Sequence, residues 1–255
     1  MKVAILCGGR GTRLNEITDF VPKPIIQIGD RPILWHLMKT YSHYGFKEFV
    51  LCLGYKGEVI KEYFLKYPLM TNDFTKSLNS NSFEVHSSDT EDWKITFADT
   101  GLEALTGERL LNAKKFLENE DVFMVTYGDG LANININELL EFHNKMGKTA
   151  TITGGHPYSK WGMIKTDSNN IIKSFWQKPV LTDYINIGFM VFNKEVFDYI
   201  KAGAEIEEVF VELVKTEQIA MFRHDGFFHA MDTYRDYLEF NKMWESNQAS
   251  WKIWK

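Results

Sequence analysis

The first residues able to do chemistry form the run Cys7-Gly8-Gly9-Arg10-Gly11-Thr12-Arg13-Leu14, directly after the apolar stretch Val3-Ala4-Ile5-Leu6. A buried strand that empties into a glycine-rich turn offers bare backbone N–H groups to a closely approaching phosphate chain. Arg13 lies just past this turn. Lys23 sits in Pro22-Lys23-Pro24, its backbone stiffened by a proline on each side. Together they predict a polyphosphate cradle with two fixed cations. Asp129, between glycines in Tyr127-Gly128-Asp129-Gly130, follows the most apolar strand. Ligands in open α/β sheets bind beyond the carboxyl ends of the strands. A carboxylate there, with a phosphate cradle in the same sheet, is a natural Mg²⁺ ligand, because magnesium uses one or two protein carboxylates and completes its shell with phosphate and water oxygens. A plain turn aspartate is the competing reading. The second candidate carboxylate is Asp232, in Met231-Asp232-Thr233 before the last helix, where it or Thr233 could equally be an N-cap. Lys178, in Gln177-Lys178-Pro179, reads by itself as a solvated surface lysine.

Other phosphate motifs do not fit. A P-loop requires Gly-Lys where Arg13-Leu14 stand, and a dinucleotide fingerprint begun at Gly9-Arg10-Gly11 finds Leu14 in place of its third glycine. No acidic residue ends a clear second strand at the usual spacing, which sets aside a nicotinamide-dependent oxidoreductase. His224 and His229 share no metal-ligand spacing, and no Ser-His-Asp or Cys-His nucleophile pattern is visible.

The elements that must position these residues follow a strand–turn–helix rhythm. Strands are expected at 3–6, 49–53, 93–98, 122–126, 149–153, 161–166, 171–176, 186–192 and 218–223. Helices are expected from Ile33 to Tyr41 and at 59–67, 107–117, 137–146, 194–201, 207–215 and 234–246. Continuous apolar strands alternating with helices predict an α/β fold: a mostly parallel, Rossmann-like sheet covered on both faces. The polar stretch 70–92 breaks the rhythm and reads as a linker or as a small β excursion reaching to about 98. Because the candidate residues spread over positions 10 to 232, the 255-residue chain is read as one catalytic domain, 1–255.

Composition narrows the function classes. The net charge of −5 (29 Lys and Arg against 34 Asp and Glu) argues against a nucleic-acid surface. No apolar run reaches about 18 residues, and the chain opens directly on a core strand, so no membrane segment or leader is expected and a cytoplasmic location is. Cys7 and Cys52 both lie in apolar runs and read as buried thiols of a reducing compartment. The aromatic C-terminal tail and the 70–92 stretch are the places where subunit contacts are expected.

The glycine turn followed by Pro22-Lys23-Pro24 resembles the signature of the sugar-1-phosphate nucleotidyltransferases. Within that family the cytidylyl branch acting on glucose 1-phosphate is the nearest resemblance, through Pro32-Ile33-Leu34-Trp35-His36, Gly54-Tyr55-Lys56-Gly57, Asp99-Thr100-Gly101, Thr106-Gly107, Thr126 to Gly130, Met231-Asp232-Thr233 and the tail Trp244 to Trp254. It runs collinearly over the whole chain. It implies Mg²⁺-dependent attack of a sugar 1-phosphate oxygen on the α-phosphorus of CTP, giving a CDP-sugar and pyrophosphate for surface polysaccharide synthesis, by a homo-oligomer. In such a site Gly8, Gly9, Gly11, Thr12 and Arg13 hold the nucleotide together with Gly128, and Lys23 acts near the α-phosphate. The base lies near Gly8, Gly9 and the 100–107 segment with Thr100, Gly101, Thr106 and Gly107, and Arg109 makes a further phosphate contact. Asp129 and Asp232 hold the metal. Lys178 binds the sugar phosphate, bordered by Gly162, Gln177, Asn186 and Gly188.

Four positions depart from the family pattern. Val21 replaces a lysine, Gln177 a glutamate, Ile187 a glycine, and Asn112 stands among residues that are commonly basic. A carboxylate accepts two sugar hydroxyls, whereas an amide offers one acceptor oxygen and two donors. Two alternatives therefore stand beside the main reading: the same transfer to a different phosphorylated acceptor, or a nucleotide-binding regulatory protein without turnover.

Overall fold

The computed structural model of this chain describes residues 1–11, 14, 21–80, 82–86, 90–159, 161–177 and 179–254. Thr12, Arg13 and Lys178, expected at the site, lie outside the described residues.

The first half runs β1 (Lys2–Leu6), β2 (Gln27–Ile28), β3 (Arg31–Pro32), α1 (Ile33–His43), β4 (Glu48–Leu53), α2 (Gly57–Thr71), β5 (Phe74–Lys76), β6 (Phe83–Val85), β7 (Lys94–Asp99), α3 (Thr106–Asn112) and β8 (Val122–Tyr127). The second half runs β9 (Gly130–Ala132), α4 (Ile136–Met146), β10 (Ala150–Gly155), β11 (Gly162–Thr166), β12 (Ile172–Gln177), β13 (Ile185–Asn186), β14 (Met190–Asn193), α5 (Ile206–Lys215), β15 (Ile219–His224), β16 (Phe228–Ala230) and α6 (Tyr234–Glu245).

The main sheet has the order β15-β10-β14-β8-β1-β4-β7, with β13 also pairing with β10. β1 pairs parallel with β4 on one edge and β8 on the other, and β4 continues parallel to β7. β14 is antiparallel to both β8 and β10, while β15 is parallel to β10. The expected mostly parallel sheet is therefore present, with β13 and β14 as its antiparallel strands. Strand alternation sends Val3 and Ile5 to one face, against α1, α4 and α6, and Ala4 and Leu6 to the other, against α3 and α5. Val3, Ala4 and Ile5 are fully buried, and burying a Val or Ile side chain stabilises a fold by about 1.5–3 kcal/mol. This two-sided burial is why β1 reads as continuous apolar sequence.

Several expected elements differ in detail. The strand expected over 186–192 is two pieces, because Gly188 (φ 78°) and Phe189 (φ 48°) turn the chain between β13 and β14. The helix expected over 107–117 ends at Asn112 and is followed by a 3₁₀ turn, Lys114–Phe116; the helix expected over 194–201 is a 3₁₀ helix, Lys194–Asp198. α2 runs past the expected end through Pro68 to Thr71. In the 70–92 stretch β5 and β6 form an antiparallel hairpin that leaves Phe74, Leu78, Phe83 and Val85 exposed. The ribbon β11–β12 pairs with no other strand among the described residues.

The aromatic tail folds back onto its own chain. Trp251 is fully buried and Trp254 nearly so, packed with Trp35, Trp244 and Phe240 around His36. Much of its aromatic surface is covered from within the chain.

Candidate active site

β1 and β8 are neighbours, and the chain leaves the sheet in opposite directions from them: β4 and β7 lie beyond β1, β14 and β10 beyond β8. Such a reversal of strand order opens a crevice at the carboxyl ends of the strands. Gly8 follows β1 there and Asp129 follows β8. A cavity of about 360 Å³ lies between them, lined by Gly8, Gly9, Gly11, Lys23, Thr106, Arg109, Gly128 and Asp129, and also by Tyr127, Leu105 and Glu205.

Lys23 opens the 3₁₀ turn Lys23–Ile25, where Pro22 is extended at the cap and Pro24 is buried. Its ammonium donates to Asp129 Oδ2 at 2.6 Å and to Asp232 Oδ1 at 2.9 Å. Burial works against the Lys23 charge, but Asp129 and then Asp232 outweigh it and hold the pKa above the ordinary lysine value. Asp129 and Asp232 are brought together by an element that sequence reasoning missed. β9 and β16 form a short antiparallel ladder, Gly130 opposite Ala230, and Met231 N–H donates to Asp129 C=O at 2.9 Å. At three residues each, these strands are too short to show a period.

The two carboxylates already draw one cation, Lys23 Nζ, at the edge of a cavity wide enough for phosphates. Hard oxygen ligands, two in number and with open space beside them, suit a divalent ion such as Mg²⁺. Thr233, rather than Asp232, is the N-cap of α6: its hydroxyl accepts from Asp236 N–H, and the Asp236 carboxylate returns to Thr233 N–H. Asp232 is thereby relieved of the capping role that competed with a metal reading.

Arg109 is 5% exposed and projects from α3 beneath the glycine turn. Its Nη1 donates to Gly101 C=O at 2.6 Å and more weakly to Leu53 C=O and Thr100 Oγ1, and Nη2 donates to Leu102 C=O at 3.1 Å. Burial lowers its pKa. A β-carbon at Gly8 or Gly54 would run into its guanidinium. Much of its donor capacity is thus spent on shaping the 100–102 turn. Thr100 is buried and Gly101 (φ 98°) turns the chain; both support Arg109 and neither lines the cavity. Asn112, the departure from a basic residue, donates to Thr100 C=O at 3.0 Å and steadies the same turn. Gly107 lets α3 approach α5, since a β-carbon there would lie 2.9 Å from Ala204 C=O. Thr106 Oγ1 accepts from Ile206 N–H at 2.9 Å across the same contact.

On the expected acceptor side, Asn186 donates to Tyr127 Oη at 3.2 Å and accepts from Gly188 N–H at 3.0 Å. Tyr127 in turn donates to Glu207 at 2.6 Å, and burial, then Glu207, push its pKa far up. Gly162 and Gln177 face one another across the β11–β12 ribbon and do not line the cavity. Ile187 is buried, packed against Gly155, and Val21 packs on the main core.

The nucleotidyl transferase family matches residues 2–249 of the chain. A probable glucose-1-phosphate cytidylyltransferase of Bacillus subtilis is 47% identical over the full length of both chains, and the glucose-1-phosphate cytidylyltransferase of Salmonella typhi is 41% identical, again over all of both. The chain belongs to the nucleotidyl transferase family. Within it lies the sugar-1-phosphate nucleotidyltransferase group that the glycine turn and Pro-Lys-Pro step resemble, whose members generally use a divalent metal. Solved structures share the fold at low identity. A putative glucose-1-phosphate thymidylyltransferase of Bacillus anthracis superposes with a TM-score of 0.70 at 17% identity, covering 100% of this chain and 98% of its own. A UDP-glucose pyrophosphorylase superposes at 0.69 with 15% identity, covering 96% and 98%. In this nucleotidyltransferase the sheet reversal, glycine turn and carboxylate pair therefore stand in an enzyme frame.

Proposed function

We propose that this nucleotidyltransferase transfers a cytidylyl group from CTP to a sugar 1-phosphate, with glucose 1-phosphate as first choice, giving a CDP-sugar and pyrophosphate, with Mg²⁺ as its divalent ion. The reaction class rests above all on the meeting of Lys23 with Asp129 and Asp232, the first two of which line the glycine-turn cavity. CTP as donor and glucose 1-phosphate as acceptor are supported by the full-length likeness to the two cytidylyltransferases.

Such a transfer asks little covalent work of the protein, so rate comes from positioning and charge. The Gly8–Gly11 turn, with Gly128 facing it, receives the triphosphate on backbone N–H groups, and Thr12 and Arg13 extend that grip. Asp129 and Asp232 would hold a divalent ion there, and such an ion would neutralise phosphate charge. Lys23, anchored between the same carboxylates, supplies a fixed cation near the α-phosphate. Arg109 holds the 100–102 turn against which the base lies, with Thr106 and Gly107 beside it. Lys178 meets the acceptor phosphate, and Asn186, Gly188, Gly162 and Gln177 border the sugar. The enzyme works as one catalytic domain over 1–255 and as a homo-oligomer in the cytoplasm. The free buried thiols Cys7 and Cys52 suit that reducing compartment, and the exposed apolar β5–β6 hairpin suits a subunit contact.

Purified protein with Mg²⁺, each of CTP, UTP, dTTP and GTP, and a panel of phosphorylated sugars tests this by pyrophosphate release. CTP with glucose 1-phosphate is expected to give the highest kcat/KM. CTP binding without turnover on any acceptor would leave only the regulatory reading.

A further inference from the structure

Behind Asp232 stands a second carboxylate that the reaction as read so far does not use. Asp236, in the first turn of α6, turns Oδ2 back over the Asp232-Thr233 peptide and accepts from three donors. These are Asp232 N–H at 3.0 Å, Thr233 N–H at 2.7 Å and the Thr233 hydroxyl at 2.8 Å. Its other oxygen, Oδ1, lies 3.4 Å from His229 Nε2, on the β16 strand that pairs with β9 beside Asp129. One carboxylate thus ties the Asp232 backbone to the start of α6 and borders the ladder that carries Asp129.

We propose that Asp236 is a positioning residue for Asp232, fixing the peptide from which the Asp232 carboxylate reaches the metal; this rests on reading Asp232 as a metal ligand. The geometry is directional. Asp232 N–H donates to Asp236 Oδ2 at 3.0 Å and more weakly to Ala230 C=O at 3.2 Å, while Asp232 Oδ1 accepts from Lys23 Nζ. Holding the peptide from behind fixes the direction of the side chain in front. Partners of metal ligands act in this way, and their loss commonly weakens metal binding about 10–100-fold. His229, Asp236 and Glu239 also lie close enough to suggest a second cation cluster. Three donors already hold Asp236 Oδ2, so a cation there would fall to Oδ1, the oxygen facing His229, which can act as ligand while Oδ2 holds the Asp232 peptide.

The measurement is Mn²⁺ binding in the presence of CTP, without acceptor, by electron paramagnetic resonance, on wild type and on Asp232→Ala, Asp236→Ala, Asp236→Asn and Thr233→Val. Circular dichroism and melting curves accompany it. One Mn²⁺ per chain is expected in the wild type, strongly weakened by Asp232→Ala. Asp236→Ala should weaken it about 10–100-fold, with partial recovery in Asp236→Asn, whose amide oxygen still accepts. Thr233→Val removes the cap hydroxyl but leaves Asp236 on Asp232 N–H, so Mn²⁺ affinity should change less than about threefold even though the melting temperature falls. Equal weakening in Thr233→Val and Asp236→Ala at equal loss of melting temperature would reduce the effect to helix capping and overturn the proposal. A second Mn²⁺ lost only in Asp236→Ala would overturn it in favour of ligation. Unchanged affinity in Asp236→Ala while Asp232→Ala abolishes binding would overturn positioning alone. Unchanged affinity in Asp232→Ala would remove the metal reading itself.

Discussion

The guanidinium of Arg109 fills the space that a β-carbon at Gly8 would need. The glycine turn is therefore shaped from below by a buried cation as well as from above by whatever phosphate it receives. Gly8→Ala should push Arg109 off its carbonyl ligands at Gly101 and Leu102. Overpacking of this kind costs about 1–3 kcal/mol, and CTP affinity should fall at least tenfold by calorimetry. Gly9, with open space at its β-position, provides the contrast. Gly9→Ala should keep the wild-type melting temperature, so any loss of CTP binding there reports crowding of the ligand alone.

Removing the Lys23 charge should leave Asp129 and Asp232 opposed without their shared cation. Lys23→Met is expected to fold and to lose about 10²–10³ in kcat, the range seen when one preorganised electrostatic group is deleted. The pH dependence has a definite sign. The folded pKa of Lys23 is raised, so its stabilisation is fully present below the ordinary lysine value of about 10.4 and is lost only as pH rises through the folded value. The melting-temperature gap between wild type and Lys23→Met should therefore be flat from about pH 6 to 9 and close only above about 10.4.

His36 gives a pH effect at the other end. It is fully buried among tryptophans, and burial lowers its pKa to about 4, outweighing the hydrogen bond to Ile28. Nε2 donates to Ile28 C=O at 3.0 Å and Nδ1 faces Trp251 Nε1 at 3.5 Å, a pattern suited to the neutral ring. The unfolded chain takes up a proton near pH 6.5, which the folded chain refuses until about pH 4. Stability should fall by roughly 3 kcal/mol from this group across that window. Ring resonances followed by NMR should show His36 neutral at pH 5; a titration near 6.5 would contradict the buried cage.

The departures from the family pattern separate into core and surface. Ile187 is 3% exposed against Gly155, so Ile187→Gly should destabilise by at least about 2 kcal/mol and leave the acceptor KM within about twofold. Gln177 is exposed at the end of β12 and opposite Gly162. Gln177→Glu should change the acceptor KM without changing the KM for CTP. A shift in acceptor preference from Ile187→Gly, measured across the sugar phosphate panel, would support the reading of an altered acceptor built on Val21, Gln177 and Ile187.

Strong local patterns carried most of the fold in the sequence. The runs 3–6, 49–53 and 122–126 are buried on both faces, so their composition alone marks them as inner parallel strands. The pairing of Asp129 with Asp232 had no comparable signal. It depends on β9 and β16, three residues each and far apart in the chain, held by contacts that no local period reveals. Arg109 could be picked out by its place in Thr106-Gly107-Glu108-Arg109, but not its attachment to backbone carbonyls, because carbonyls look alike at every residue. The 186–192 stretch misled because a β-branched and aromatic run reads as one strand, while Gly188 and Phe189 turn within it.

Lys23 and Asp232 are 209 residues apart in sequence and 2.9 Å apart in space. During synthesis the glycine turn and its lysine leave the ribosome long before the last carboxylate is made. A nascent chain can therefore present the glycine turn and Lys23 while lacking one of the two acids proposed to hold the ion. Chains that lack β16 and α6 also lack Asp232, and on the proposed reading they would not turn over nucleotide.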